Sequence, residues 1–378
     1  MLTESFVFFP GPEIPEDFMA LVRAADEVSV DFEADGLHHY YSKMCLVQMN
    51  VEGGIYVADP LGNSNMADLF GCMRGKTMVI HSASYDLKLM KDGFGFVPDR
   101  IFDTMVAIQL LGYEKWSLAD LVLRHFGVVL AKGPQKMDWS VRPLSDKMLD
   151  YSANDVKYLP ELHRRLALEL EEKGRTAWME EICEHVIRAS LLPHEVDPEE
   201  VWRIKGSFAL GRCEMAYLRE LWKWREAEAM ESDVPSFKIL QNERLVELAS
   251  WCAAERKPVF EWPLYSRMIK RWKRGERCEK ARLAVMALPP KSWPAKTRPR
   301  VIPHMEVDPD VLDRIKAGRD EVAARLEISP PLIANQKTLS KIASMKRITD
   351  PDVLVRECGL MRWQRDLLKD VVMEELGA

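Results

Sequence analysis

The chain has 378 residues, of which 47% are hydrophobic and 30% charged, with a net charge of −6. That length holds two or three domains, and the composition excludes global disorder. No apolar run reaches the length of a membrane span, and seven cysteines without a C-x-x-C pair argue for free thiols in a reducing compartment, the cytoplasm, and against a zinc site or disulfide framework.

Taken from the N-terminus, MLTESFVFFPGPEIPED lacks a basic start and does not read as a secretory signal. Four short runs bounded by Gly, Pro, Asn or Asp then read as strands: EVSVDFE, CLVQMNV, GIYVADP and TMVIHS. The first three follow closely, as in an antiparallel meander. Helical spacing is predicted over residues 83–92, 103–111, 117–126 and 145–159, so this half is α/β with a mixed sheet. After about residue 160 helical periodicity dominates. LPPKSWPAKTRPRVIP, residues 288–303, holds five prolines and reads as a linker.

The two sides of that linker match at an offset of 94 residues: Leu218 with Leu312, Arg225 with Arg319, Ile239 with Ile333, Leu248 with Ile342. Such a run of matches predicts a duplicated helical domain. Charge is uneven along the chain. Residues 1–200 carry 19 Lys+Arg against 33 Asp+Glu, residues 201–300 carry 22 against 12, and residues 301–378 carry 12 against 14. An acidic head with a basic middle suits an enzyme holding a polyanion, although helical surfaces also fluctuate in charge.

The chemistry is concentrated in carboxylates. In VSVDFEAD the alternation places Asp31 and Glu33 on one strand face, where like charges repel unless a cation lies between them. A hard divalent ion, Mg²⁺ or Mn²⁺, resolves that repulsion and calls for further oxygen ligands. Asp86 follows a strand at the start of a helix, and Tyr151 and Asp155 are four apart on one helix face. Each has a structural alternative: Asp86 as a helix-start residue, Tyr151 as a half-buried core aromatic. The ordered set D-x-E, then Asp, then Y-x-x-x-D is far more specific than any one part.

With that set in view, DFEADGLHHYYSKMCLVQM, HSASYDLKLM, IFDTMVAIQLLG and KGPQKMDWSVRPLSDKMLDYSANDVKYLPEL resemble the motifs of the ribonuclease D family. That family belongs to the DEDD superfamily of 3′-to-5′ exonucleases, in the subgroup whose third motif carries Tyr. Downstream, LRELWKWREAEAMESDVPSFKILQNERLVELA and VLDRIKAGRDEVAARLEISPPLIANQKTLSKIA resemble two HRDC domains. The resemblance implies an α/β ribonuclease H-like exonuclease domain with a mixed sheet over 1–195. It implies a first all-α HRDC-like domain over 205–287, a Pro-rich linker over 288–304 and a second HRDC-like domain over 305–378. Two departures stand out. Pro160 is expected to end or kink the third-motif helix, and Phe32 is bulkier than the usual residue between the two carboxylates.

The implied activity is hydrolysis of the last phosphodiester at an RNA 3′ end, releasing 5′-mononucleotides, with tRNA precursors as substrate. Two divalent ions about 4 Å apart would clamp the scissile phosphate. By analogy Asp31 bridges both ions, Glu33 and Asp155 serve the water side, and Asp86 serves the leaving-group side. Tyr151, with an ordinary pKa of about 10, is protonated at pH 7 and orients the attacking water. Phe32 and His81 are expected at the terminal nucleotide, a plain structural role for His81 standing equally. Asp103 is expected to cap the next helix, and Asp138, Trp139 and Arg142 to shape the wall around the third motif. Lys270, Arg271, Trp272, Lys273 and Arg274 form a basic cluster suited to phosphates and a stacked base, or equally a solvated helix face. A DNA exonuclease and a non-catalytic RNA-binding scaffold remain open, and nothing in the sequence calls for a membrane or an obligate protein partner.

Overall fold

The structure, a computed structural model, describes residues 6–130, 133, 135–192, 197–265, 274–295, 307–345 and 347–377. Among these, six strands form one sheet: β1 (Val7–Phe9), β2 (Glu27–Ala34), β3 (Met44–Val51), β4 (Gly54–Ala58), β5 (Thr77–Ile80) and β6 (Arg100–Asp103). Their order is β1-β4-β3-β2-β5-β6. The pairs β4–β3 and β3–β2 are antiparallel, and β1–β4, β2–β5 and β5–β6 are parallel, so the sheet is mixed as expected. β1 went unpredicted because three residues cannot establish a period, and β6 because charged Arg100 and Asp103 leave only two apolar residues between them.

Alternation sorts the central strands onto two faces. Val28, Val30, Phe32, Val47, Met49 and Val51 join the larger hydrophobic core. Ser29, Asp31 and Glu33 face the other way, with Asn50, Gln48 and Leu46 opposite them on β3. Eight helices accompany the sheet: α1 (Glu16–Ala24), α2 (Met66–Cys72), α3 (Ser84–Phe94), α4 (Thr104–Leu111), α5 (Leu118–Phe126), α6 (Asp146–Lys157), α7 (Leu159–Glu172) and α8 (Thr176–Leu191). α6, capped by Ser145 onto the Met148 amide, packs on β2, β3 and β4, over the polar face. Pro160 lies in the first turn of α7, and the helical run breaks at Tyr158, three residues past Asp155.

The compact units do not follow the chain in order. One comprises residues 1–34, 44–192 and 304–378, the other residues 35–43 and 193–303. In the first, the C-terminal helices share a core with the helices that accompany the sheet. Trp178 of α8 stacks on Trp363 at 4.9 Å between ring centroids, and Glu181 of α8 accepts from the Arg362 and Trp363 amides at the start of helix Arg362–Leu376. Arg175 donates to the carbonyls of Leu110 and Leu326. Gly112 ends α4 with φ +83°, and a Cβ there would meet the Glu327 carbonyl oxygen at 1.9 Å.

In the second unit, helices Arg212–Glu231, Ser236–Ile239 and Asn242–Glu255 surround a core that includes Leu218, Leu221, Trp224 and Leu248. Within it, Asp233 accepts from the Tyr40 amide and pairs with His39. The 94-residue repeat is visible in the geometry. Helices begin at Ser236 and Asn242 in one copy and at Pro330 and Gln336 in the other. Arg225 is buried and donates to the Leu240 carbonyl at 3.1 Å; Arg319, 94 residues on, is buried and donates to the Ala334 carbonyl at 2.5 Å.

Because the C-terminal helices close the core of the first unit, Trp363→Ala should destabilise that unit by about 3 kcal/mol. Urea unfolding followed in that unit checks it, and an unchanged midpoint would mean the shared core carries no stability.

Candidate active site

β2 delivers Asp31 and Glu33 to the face that α6 covers, and α6 delivers Tyr151 and Asp155 onto it. Ligand oxygens of Asp31, Glu33 and Asp155 all lie within 4.8 Å of one another. Asp86 sits in the first turn of α3, buried, and close enough to Asp31 for mutual repulsion. No ion pair among the described residues reaches these four carboxylates.

The missing countercharge shows in their acidity. Burial pushes the Asp31 carboxyl up to about 7. Burial, then Asp31, pushes Asp155 up to about 8, against a hydrogen bond from Tyr151 that favours the charged form. Glu33 rises to about 9 through burial and then repulsion from Asp31, Asp155 and Asp86. Asp86 is held well above the ordinary carboxylate range by burial, Asp31 and Asp103. Three carboxylates converging with a fourth beside them, and no cation of their own, fit an oxygen-rich site for divalent metal. The Tyr151 phenol is driven upward by burial first and by Asp155 and Glu33 next.

The surroundings fix these groups. Asp103 caps α4 through the Met105 amide, as expected, and also accepts from the amides of Ser82 and Ala83 at 2.9 and 2.8 Å. Ser82 has φ +70°, so the turn that aims Asp86 inward is strained and held by Asp103. Trp139 is fully buried, 6.2 Å from the Tyr151 ring. Arg142 ties its loop to Asp59 through two nitrogens, one bond being 2.7 Å, and to the Cys45 carbonyl at 2.9 Å. Gly133 lies against the Tyr151 ring, where a Cβ would come within 1.6 Å, and the Gln135 side chain hydrogen-bonds the phenol.

Residues 7–171 match the sequence pattern of a 3′-5′ exonuclease family, and residues 214–256 that of the HRDC domain. The ribonuclease D of Jannaschia sp. is 30% identical over 336 residues, 85% of this chain and 85% of that protein. The chain belongs to the ribonuclease D family. The ribonuclease D of Gluconacetobacter diazotrophicus is 27% identical over 372 residues, 96% of this chain and 92% of that protein. A crystal structure of Escherichia coli RNase D shares the fold, with a TM-score of 0.73 at 21% identity over 98% of each chain. This ribonuclease D homologue is thus an enzyme with a 3′-5′ exoribonuclease activity, and an exonuclease domain with this carboxylate set implies divalent metal ions.

Several expected site residues in this ribonuclease D homologue lie elsewhere. The Phe32 side chain is 6% exposed and points into the core toward Phe70, because alternation sends it to the face opposite Asp31 and Glu33. The His81 ring engages Thr104 Oγ1 at 2.9 Å and the Trp116 backbone, the structural alternative, and burial lowers its pKa. Arg274 is turned inward, pairing with Glu228 at 3.4 Å and with Ser232, and not outward toward phosphates. Lys270, Arg271, Trp272 and Lys273 lie outside the described residues. Gly133, Gln135 and Asp59 were missed. The GPQ stretch ahead of DW is the one local signal for the first two.

Carboxyls raised in the folded chain hold protons that the unfolded chain, with carboxyls near about 4, has already released. This contribution to stability is present at low pH and is lost as pH rises from about 4 through about 9, where Glu33 titrates. In EDTA, the unfolding temperature of wild type relative to Asp31→Asn should therefore fall between pH 5 and 9, and Mg²⁺ should reverse the fall. A difference that stays flat with pH would contradict the buried cluster.

Proposed function

We propose that this chain trims the 3′ ends of small structured RNAs, tRNA precursors among them, releasing 5′-mononucleotides by two-metal hydrolysis. The observation that carries the reading is the convergence of Asp31, Glu33 and Asp155, with Asp86 and Tyr151 beside them, in an exonuclease domain. Asp31, Glu33, Asp86 and Asp155 would hold the ions, with Glu33 and Asp155 serving the attacking water and Asp86 the leaving group. Bound there, Mg²⁺ or Mn²⁺ supplies charge neutralisation at the phosphate and activates water for in-line attack.

The protein's own part is placement. A phenol, with an ordinary pKa of about 10, keeps its proton at pH 7, so Tyr151 would orient the water by hydrogen bonding and not act as base. Trp139 and Gly133 both lie close to that ring and restrict where it can go. The E. coli relative's part in structured RNA processing supports RNA as substrate. We read the helices from Pro309 onward as a second HRDC-like module, on the strength of the repeated Arg225 and Arg319 contacts. The basic segment around residue 270 would hold the RNA backbone. Seven free cysteines suit the reducing cytoplasm, where we place the enzyme.

Degradation of matched 5′-labelled RNA and DNA oligonucleotides, with Mg²⁺, Mn²⁺ or EDTA, tests the reading. RNA shortened stepwise from its 3′ end in metal alone is expected, and equal or faster loss of DNA would make it a DNA exonuclease. Asp31→Asn should lower kcat by at least about a thousandfold in a folded protein, since the ions supply several kcal/mol of transition-state stabilisation. Tyr151→Phe should be milder than Asp155→Asn, losing a hydrogen bond and no ligand; the reverse order would overturn these roles.

Replacing Lys270, Arg271 and Lys273 together by Ala should flatten the slope of log affinity against log salt by about two units on tRNA-sized RNA, at about 0.7 per phosphate contact. An unchanged slope would make this segment a solvated surface.

A further inference from the structure

β3 is buried along its whole length, and a strand covered on both faces ordinarily reads as an unbroken apolar run. Two carboxamides interrupt it, Gln48 and Asn50. Both fall on the polar face. The register places Gln48 directly opposite Asp31 and Asn50 directly opposite Ser29. Opposite residues of an antiparallel pair present their side chains to the same face, with Cβ atoms about 4.5–5.5 Å apart.

Gln48 is 0% exposed, and neither its Nε2 nor its Oε1 has a hydrogen-bond partner. Ser29 Oγ and Asn50 Oδ1 are likewise unpartnered, while Asn50 Nδ2 donates to the Lys157 carbonyl at the end of α6 at 3.4 Å. A buried carboxamide with both ends unpaired is disfavoured, and Met or Leu would fill the same space without that penalty. Packing therefore does not account for Gln48. Its place beside Asp31 does.

We propose that Gln48 is a positioning residue for Asp31: its Nε2–H, unpartnered here, is placed to donate to an Asp31 carboxylate oxygen when the site holds its metal, leaving the other oxygen to the ion. The amide thereby fixes the carboxylate rotamer without adding charge to a cluster that already holds four acids. Groups that orient a ligating carboxylate in this way tune both metal affinity and turnover. The inference rests on the reading of Asp31 as a metal ligand.

The test is Gln48→Met in the full chain, beside wild type and Asp31→Asn. Three quantities are read: Mn²⁺ affinity by calorimetry, kcat and KM on a short RNA, and the unfolding temperature in EDTA. The expected result is an EDTA unfolding temperature at or above wild type, Mn²⁺ bound at least tenfold more weakly, kcat at least tenfold lower, and KM unchanged. Mn²⁺ affinity and kcat within twofold of wild type would overturn the role of Gln48. If Asp31→Asn loses Mn²⁺ in the same experiment, the metal site stands and Gln48 alone is refuted. If Asp31→Asn binds Mn²⁺ as well as wild type, both readings fall together. Should Gln48→Met not fold, the side-chain amide resonance of Gln48 in wild type gives the answer. It should shift on Mg²⁺ addition and stay still in Asp31→Asn, and a resonance that ignores Mg²⁺ in wild type would overturn the proposal.

Discussion

Repulsion among carboxylates held on one buried face is the constraint on which the rest of this structure depends. Asp31, Glu33 and Asp155 would separate if their backbones allowed it. β2 and β3 prevent that through an antiparallel register that runs from Ser29 to Glu33 without interruption and shifts only past Glu33. α6 prevents it from above by packing on three strands at once. Asp103 prevents it from the side. One carboxylate caps α4 and also takes the amides of Ser82 and Ala83, so the positions of α3 and α4 are set by the same group. A strained residue, Ser82, persists there because three backbone amides meet Asp103 at once.

Much of this was legible in the sequence, for physical reasons that can be named. The D-x-E strand shows its period in the six alternating residues Val28 to Glu33, and Tyr151 and Asp155 show theirs in a helix long enough to repeat. The four predicted strands and the mixed sheet followed from local runs. Pro160 marked the break between α6 and α7 because its ring cannot lie inside a continuous helix. The repeat at 94 residues reappears as helices starting in register.

What stayed hidden depends on neighbours far along the chain. Phe32 was assigned to the nucleotide by its position between two site residues, although the alternation that joins Asp31 to Glu33 sends the residue between them to the other face. Arg274 sits in a basic run, and nothing in a charge count tells that its guanidinium turns toward Glu228, about one hundred forty atoms of backbone away in order of magnitude and adjacent in space. Gly133 matters only because Tyr151 passes close to it. The division into compact units was also not readable, since an apolar stripe on Arg362–Leu376 does not reveal that its cover is α8 and not another helix of its own module.

The two helical copies show how one interior can carry two surfaces. The buried arginine contact is retained in both, Arg225 to Leu240 and Arg319 to Ala334, because each ties the first helix to the turn between the second and third. Outside that interior they diverge. Residues 201–300 carry ten more basic than acidic groups, whereas residues 301–378 carry two fewer. The copy without excess positive charge is the one whose tryptophan stacks on the exonuclease helix α8. A surface committed to a permanent apolar contact gains nothing from cationic charge, which would have to be desolvated there. In the other segment Arg225, Arg274 and Arg282 are also buried, and each is paired with a glutamate that offsets that cost.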